Sequence, residues 1–311
     1  MKKHFREWSV AAALGFILVA LAVFAPPFYH PQPLLSLVTY EAPTLIVAVG
    51  MATIIICRQI DISVGSLFAV CGVCGALLLD RGWPCLAVLP VSMLLGALMG
   101  AINGGLVAGL GLPSIVVTLA TMVTWAEALR WLRQGVLVNV GHAQWFGFTQ
   151  GEGQLTIVIT ALVILLINAV GLRHLAAGRF IYAVGTNAEA ARLAGLRPRL
   201  ITFLMFVRLG TLTGLAAFLA AVQAPTLQPK PDNGLELKAI AAVVVGGVAI
   251  SGGRGNLWGV FCGVLLLTVV SPISPALVYL GIPSYWGKAI QGAIILLAVV
   301  ADGWRARKQK F

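Results

Sequence analysis

Charged residues are scarce in this chain, which limits the classes of protein to which it can belong. Only 10% of the 311 residues are Asp, Glu, Lys or Arg, while 59% are hydrophobic and the mean hydropathy is +0.97. Soluble domains carry about 25% charged residues, so an ordinary soluble domain is excluded and an all-α polytopic membrane protein is predicted. The net charge of +11 comes from basic residues scattered at the ends of apolar runs. Such scattering favours contact with membrane lipid and argues against nucleic acid as a partner.

The sequence also lacks the motifs of catalysis and nucleotide binding. Ten acidic residues and four histidines are spread thinly, and no HExxH, GxSxG or GxxxxGK(S/T) motif occurs. The five cysteines lie mostly in apolar runs, and Cys71 and Cys74 have no second pair or histidine cluster beside them. We therefore expect no catalytic residue, no metal site and no cofactor bound by this chain, and we interpret the cysteines as packing residues.

Apolar runs long enough to cross a bilayer recur along the whole chain, since a span needs about 20 such residues. About ten spans are predicted in a single transmembrane domain that covers residues 1–311. Both termini are expected on the cytoplasmic side, because basic residues concentrate there. The first half contains predicted spans at 9–25, 42–57, 63–79 and 86–109, and a fifth that follows a turn at Gly111 and Pro113 and ends at about Trp131. A proline-rich outer loop is predicted over 26–33. The second half contains predicted spans at 155–172, 200–222, 238–250, 257–280 and 286–302. The polar break at 58–61 and the short segment 238–250 are each compatible with a discontinuous or a re-entrant helix.

Glycines at fourfold spacing predict close contacts between helices. Gly96, Gly100 and Gly104 share one face of the fourth predicted span, and Gly210 and Gly214 share a face of the seventh. Small residues on one face allow helix backbones to approach in a membrane. The ninth predicted span carries a similar face with Gly259 and Gly263.

A polar, basic segment at 173–199 separates two apolar runs and is predicted to be a cytoplasmic loop, because five of its residues are arginine. Its centre has the signals of a short helix: Asn187 can cap the first turn, Glu189 suits the positive end, and Gly195 suits a left-handed stop. About two turns are too few to be stable alone, so we expect this helix to pack against something. From these residues alone, a plain connecting loop remains the alternative to a segment that binds a soluble partner.

Polar residues inside apolar runs are the default candidates for function in a membrane protein. Asp61 is interpreted as the N-cap of the third span, with a position on a solute path as its second interpretation. Glu127 and Arg130 are three residues apart and are expected to pair on one helix face in a structural role. Arg208 lies near the middle of a span. There it either pairs with another side chain, extends its guanidinium group to the membrane–water interface, or faces the solute path. No acidic residue is evident at mid-depth, which argues against a carrier driven by a coupling ion.

Three stretches together resemble the permease subunits of ribose-type sugar ABC importers. They are Asp61–Leu67 (DISVGSL), Tyr182–Gly195 (YAVGTNAEAARLAG), and Glu236–Gly247 (ELKAIAAVVVGG) followed by Ser251–Gly255 (SGGRG). Their order and spacing fit the family, and the resemblance covers nearly the whole chain. The departures are Lys238, where an acidic residue is common, and Thr186, where glycine is common.

The resemblance implies a channel-forming subunit of the bacterial inner membrane that works as a dimer with a second copy or a paralogue. It also implies a cytoplasmic ABC ATPase that uses ATP and Mg, an extracytoplasmic sugar-binding protein, and alternating access driven by the ATPase. The family's coupling helix falls on 187–195, and the residues that it places at the ATPase contact are Asn187, Glu189, Ala190, Ala191, Arg192 and Gly195. Residues that we expect to line a solute path share a polar side chain in or beside a span: Asp61, Ser63, Ser66, Asn103, Thr118 and Arg208. Ribose, xylose, rhamnose and autoinducer 2 all remain open as substrates.

Two other classes remain as alternatives. A secondary carrier or facilitator that works alone would need its own coupling-ion site or substrate pocket, and it would not need the helix at 187–195. A membrane-embedded enzyme would need a catalytic cluster, which the sequence lacks.

Overall fold

Helices form nearly all of the regular structure in the computed structural model, which describes residues 5–140, 150–223, 226–227, 234–270 and scattered positions between 279 and 296. This confirms the all-α fold class. The helices are α1 (Phe5–Phe24), α2 (Pro31–Ile56), α3 (Val64–Asp80), α4 (Cys85–Gly104), α5 (Ser114–Arg133), α6 (Gln150–His174), α7 (Ala176–Thr186), α8 (Ala188–Leu193), α9 (Pro198–Gln223), α10 (Leu235–Val245) and α11 (Leu257–Val269). A 3₁₀ turn (Pro26–Tyr29) precedes α2, and a π-helical turn (Gly105–Gly109) extends α4. Two short strands, β1 (Val138–Asn139) and β2 (Thr226–Leu227), pair antiparallel.

Several helices are long and apolar enough to cross a membrane, which makes this a multi-pass membrane protein. Among the described residues they are Pro31–Ile56, Cys85–Gly109, Ser114–Arg133, Gly151–His174 and Pro198–Gln223. Shorter apolar helices cover Val10–Phe24, Val64–Asp80 and Leu257–Val269. Most of the predicted span at 286–302, residues 271–278 of that at 257–280 and the basic C-terminal tail lie outside the described residues, so the count of ten stays a prediction.

Helix α2 begins at Pro31 rather than at residue 42, so the second half of the predicted outer loop is wrong. Pro31 and Pro33 lie in the first turn of the helix, where a backbone N–H has no intrahelical acceptor and proline costs little. The prolines thus start the helix instead of preventing it. The early start places Glu41 inside α2, with only 3% of its surface exposed.

Glycine contacts bring α4 and α9 together, as their spacing predicts. A Cβ added at Gly96 would collide with the carbonyl oxygen of Gly210, and one added at Gly100 would collide with that of Phe206. Gly214 lies equally close to the carbonyl oxygen of Ser92. The two backbones therefore touch along several turns, which is the packing that small residues permit in a membrane.

A second set of glycines joins α10 to α11. A Cβ at Gly263 would collide with the carbonyl oxygen of Ala242, and one at Gly246 would lie 2.5 Å from that of Gly259. The predicted small-residue face of the ninth span is confirmed. Its partner is α10, which has only 11 residues and is too short to span a bilayer by itself.

Candidate functional site

The short helix α8 begins with the cap that the sequence predicts. Asn187 is in an extended conformation, and its Oδ1 atom accepts hydrogen bonds from the backbone N–H groups of Glu189 and Ala190, both at 3.0 Å. These bonds satisfy two of the donors that every helix leaves open at its start. The helix is therefore defined by its own sequence.

The end of α8 also follows the prediction. Gly195 has φ +85°, and its N–H donates to the carbonyl of Arg192 at 3.0 Å. The N–H of Leu196 then donates to the carbonyl of Ala191 at 3.0 Å, which completes a Schellman motif. The left-handed conformation is the reason that glycine is suited to position 195.

One face of α8 packs on the protein and the other is open. Ala191 is buried, as expected for a helix too short to be stable alone, while Ala190 is exposed and Leu193 is 78% exposed. Glu189 and Arg192 are both exposed and form a bidentate ion pair, at 2.6 Å and 3.1 Å. Hydrogen bonds from Arg192 lower the pKa of Glu189. The open face therefore presents a fixed charge pair beside an exposed leucine.

Helix α7 connects α8 to two other parts of the fold. Gly185, near its end, packs so closely on the carbonyl of Ile56 that a Cβ would not fit. The N–H of Gly253 donates to the same carbonyl at 2.8 Å, and the hydroxyl of Tyr182 donates to the carbonyl of Gly255 at 2.8 Å. The predicted tight turn at 251–255 is confirmed, and it contacts both α7 and the end of α2. We call Ile56, Gly185 and Gly253 the backbone junction.

A buried polar cluster lies where the chain passes from α2 to α3. The Oδ1 atom of Asp61 accepts from the backbone N–H of Ser63 at 2.8 Å and from its hydroxyl at 2.6 Å. The Nδ2 atom of Asn103 donates to the Ser63 hydroxyl at 2.8 Å and to Asp61 Oδ2 at 3.3 Å. All three residues are at most 1% exposed. The N-cap prediction for Asp61 is wrong, because Ser63 holds that position and the carboxylate instead closes a turn onto Ser63.

Two more of the predicted path residues join this cluster. The hydroxyl of Ser66 donates to the carbonyl of Ser63 at 2.8 Å, and the Oγ1 atom of Thr118 accepts from the N–H of Ile62 at 3.1 Å. Both side chains are buried. The cluster therefore ties the start of α3 to α4 and α5.

Arg208 is not part of the cluster. It is half-buried on α9 and has no hydrogen bond or ion pair with any residue that the structure describes. The placement of the path along these residues stays a prediction. The expected pair on α5 is confirmed: Arg130 and Glu127 lie 3.0 Å apart and are exposed.

A buried ion pair, which the sequence analysis did not predict, joins α2 to α10. The ammonium group of Lys238 donates to Glu41 Oε1, and the side chains are 16% and 3% exposed. The other carboxylate oxygen of Glu41 is buried without a partner in the described part of the chain. An acidic residue therefore lies within a helix long enough to cross a membrane, outside the predicted span that begins at residue 42. Lys238 itself indicates such a pair, because a charged residue in an apolar segment requires a partner of opposite charge.

The cysteines fit their interpretation as packing residues. Cys57, Cys71 and Cys85 are buried, and none of the five is in a disulfide. Across the described ranges, no group of three or more His, Cys, Asp or Glu side chains is arranged to hold a metal ion.

Comparison with known proteins assigns the chain to a family of transporters. The family described as branched-chain amino acid transport system, permease component, matches residues 34–299. The chain belongs to this family. Curated relatives in the permease family align along nearly their whole length, which confirms the resemblance drawn from the three sequence blocks. They are transporter proteins and not enzymes.

Three relatives show the extent of the similarity. The ribose import permease of Escherichia coli strain K12 is 31% identical over 307 residues, which cover 97% of this chain and 95% of that protein. The autoinducer 2 import system permease of Enterobacter sp. strain 638 is 33% identical over 304 residues, with coverages of 96% and 87%. The ribose import permease of Haemophilus influenzae is 31% identical over 303 residues, with coverages of 96% and 93%. No solved structure matches this chain.

Proposed function

We propose that this chain is the channel-forming permease subunit of an ATP-driven importer in a bacterial inner membrane. Its substrate is a monosaccharide or a sugar-like small molecule. The observation that carries the proposal is the alignment, over 97% of the chain, with a permease named for ribose import. The family description names branched-chain amino acids, which are a second substrate class. The relatives that align along nearly their whole length favour the sugar class.

The proposed topology has ten spans with both termini in the cytoplasm. It places the segment 173–199, with α7 and α8, on the cytoplasmic side. Five arginines in this segment support that side, because basic residues accumulate in cytoplasmic loops. The exposed charge pair of α8 would then face soluble proteins of the cytoplasm.

In the proposed assembly, two copies of this chain, or one copy and a paralogue, form the channel. Two cytoplasmic ATPases bind the coupling helices and hydrolyse ATP with Mg, and an extracytoplasmic protein delivers the sugar. The residues that we assign to coupling, on α8 and its caps, are Asn187, Glu189, Ala190, Ala191, Arg192 and Gly195. Ala191 contributes by holding the helix on the protein, since it is buried.

The backbone junction offers a physical route from α8 to the membrane. A force on α8 reaches α7 directly, and Gly185 then transmits it to Ile56 at the end of α2 and to Gly253 before α11. No flexible side chain lies between these backbones to absorb the displacement. ATP-driven closure of the ATPases would in this way favour one of two packed states of the channel, because the contacts differ between the states.

The polar cluster around Asp61 has a supporting role in this proposal. Its hydrogen bonds satisfy polar groups at a break between two helices, where unsatisfied groups are costly in a membrane. The Oδ1 atom of Asn103 is buried without a partner in the described part of the chain. If the cluster lines the path, this atom is the acceptor that a sugar hydroxyl would meet.

Exchanging the charges of α8 tests the proposal. Glu189→Arg combined with Arg192→Glu keeps an ion pair on the helix but reverses the charges offered to the ATPase. We expect this variant to insert normally and to lose co-purification with the ATPase, whereas Arg81→Glu, on an exposed arginine at the end of α3, keeps it. Unchanged co-purification of the charge-exchanged variant would refute the coupling role of α8.

A stand-alone secondary carrier is the second candidate, and Glu41 is the observation that favours it. A carboxylate inside a span is what a coupling-ion site requires. Here Lys238 neutralises it, which leaves no free charge for an ion. Uptake by the purified chain in liposomes, without ATPase and with dependence on a proton or sodium gradient, would establish this alternative.

A further inference from the structure

Two arginines line a pocket that borders α8. The pocket has a volume of about 350 Å³ and lies where α2 ends and α5, α8 and α9 begin. Its lining includes Arg58, Arg199, Leu112, Thr202 and Ala188, the first residue of α8. None of the described residues that line it is acidic. The pocket is therefore a positive cavity next to the proposed coupling helix.

Arg58 occupies a backbone position that suits glycine. Its N–H donates to the carbonyl of Ile55 at 2.8 Å, and the N–H of Gln59 donates to that of Ile54 at 3.0 Å, so α2 ends in a Schellman motif. At this position Arg58 has φ +66°. The corresponding residues that end α3, α8 and α10 are all glycine: Gly82, Gly195 and Gly247. An arginine here is strained, and such strain is characteristic of functional sites.

Neither pocket arginine is neutralised within the described part of the chain. Arg58 and Arg199 are exposed, and no hydrogen bond or ion pair joins either guanidinium group to a described residue. By contrast, Arg192 on the neighbouring helix is paired with Glu189. The segment 173–199, which contributes Ala188 and Arg199 to the lining, holds five arginines and one glutamate, so this segment is strongly positive. A partner with complementary charge would present acidic side chains to this surface.

We infer that this pocket receives an acidic side chain of the ATPase subunit, which thereby binds both the pocket and α8. The inference rests on the proposed function. Ala188 belongs to the pocket wall and to α8 at once, so a group in the pocket is held against the coupling helix. Guanidinium groups bind carboxylates through paired hydrogen bonds, which gives the contact direction as well as strength. The ATPase group bound in the pocket would hold the end of α2, and closure of the ATPases would displace α8.

Binding of the labelled ATPase to the chain in nanodiscs tests the inference. Arg58→Glu and Arg199→Glu should each weaken the affinity about tenfold, as expected for losing one charge-assisted hydrogen bond. Arg81→Glu makes the same charge change at the end of α3 and should leave the affinity within about twofold. Raising the salt concentration should reduce the difference between wild type and the pocket variants.

The outcomes separate the inference from the proposed function. If wild type binds the ATPase and the pocket variants bind equally well, the inference is wrong while the proposed function stands. If wild type does not bind at all, the proposed function fails and the inference falls with it. An anionic lipid headgroup is the competing occupant. In nanodiscs of phosphatidylcholine alone the loss should persist, and a loss seen only with phosphatidylglycerol would assign the pocket to lipid and overturn the inference.

Arg58→Gly separates binding from folding. Glycine relieves the strain at φ +66°, so the thermal midpoint should not fall, yet the affinity for the ATPase should drop about tenfold. A purely structural role for Arg58 predicts no change in affinity. As a second readout, a cysteine at Leu112 should be protected from a maleimide by the bound ATPase, whereas one at Trp83, in the turn after α3, should not. Equal labelling of both with and without ATPase would contradict the inference.

Discussion

The buried pair of Glu41 and Lys238 allows a quantitative test of the fold. Both charges lie inside apolar helices, so removing one leaves the other without compensation. Breaking a buried ion pair by removing one partner costs about 3–5 kcal/mol. The pair also joins residues 197 positions apart in the chain, so its loss should loosen α10 from α2.

The structure predicts which single replacement costs more. Lys238 is 16% exposed and has a long side chain that can extend towards a polar region, whereas Glu41 is 3% exposed and cannot. One carboxylate oxygen of Glu41 already has no described partner. We therefore expect Lys238→Met, which leaves the carboxylate of Glu41 without a partner, to lower the free energy of unfolding by about 5 kcal/mol. Glu41→Gln should lower it by about 3 kcal/mol. These values correspond to changes of about 5,000-fold and 150-fold in the unfolding equilibrium.

Unfolding of the purified protein by SDS in mixed micelles, followed by tryptophan fluorescence, measures these differences. The double variant Glu41→Leu with Lys238→Met should be much less destabilised than either single variant, because no buried charge remains. Glu127→Gln is the matched control, since its exposed pair should contribute less than about 1 kcal/mol. A double variant that loses the sum of the two singles, or a Glu41→Gln no worse than the control, would refute the reasoning.

Three further changes test the other contacts. Gly185→Ala should lower ATP-driven transport and destabilise the fold by about 1–3 kcal/mol, since its Cβ meets the backbone of Ile56. Gly171→Ala is the control: its Cβ makes only an ordinary contact, so transport and SDS unfolding should both stay unchanged. Asn187→Ala should destabilise α8 by about 1 kcal/mol and weaken ATPase binding, without changing the unfolding midpoint of the helix bundle. Asn187→Asp should bind the ATPase like the wild type, because aspartate keeps the cap. Asn103→Ala removes the donor shared by Ser63 and Asp61 and should destabilise the protein by about 1–3 kcal/mol, and an unchanged SDS midpoint would show that the cluster is not structural.

Features set by neighbouring residues were predictable from the sequence. The caps of α8 at Asn187 and Gly195 depend on bonds spanning a few residues, and the structure shows those bonds. The glycines of α4 and α9 were predicted to permit close approach, and the structure shows that they face each other. In each case the physical cause is local, a capping side chain or a missing Cβ, and it can be recognised in a short stretch of sequence.

Features that depend on distant residues were not predictable in the same way. The partner of Lys238 lies in another helix, and no local pattern identifies Glu41 as that partner. Asp61 follows the usual pattern for an N-cap, but its carboxylate closes a turn onto Ser63 and also accepts a hydrogen bond from Asn103 in another helix. The unusual backbone at Arg58 had no sequence signal either, because an arginine at the end of a helix ordinarily indicates only a polar loop.

The central claim is that the chain transports its solute only through the action of a separate ATPase. The most direct measurement is uptake of the sugar retained by the cognate binding protein into proteoliposomes that contain the chain, its ATPase and that binding protein. We expect uptake to require Mg and ATP together and to stop when the ATPase is omitted. Uptake by the chain alone, at the same rate with or without the ATPase, would contradict the account.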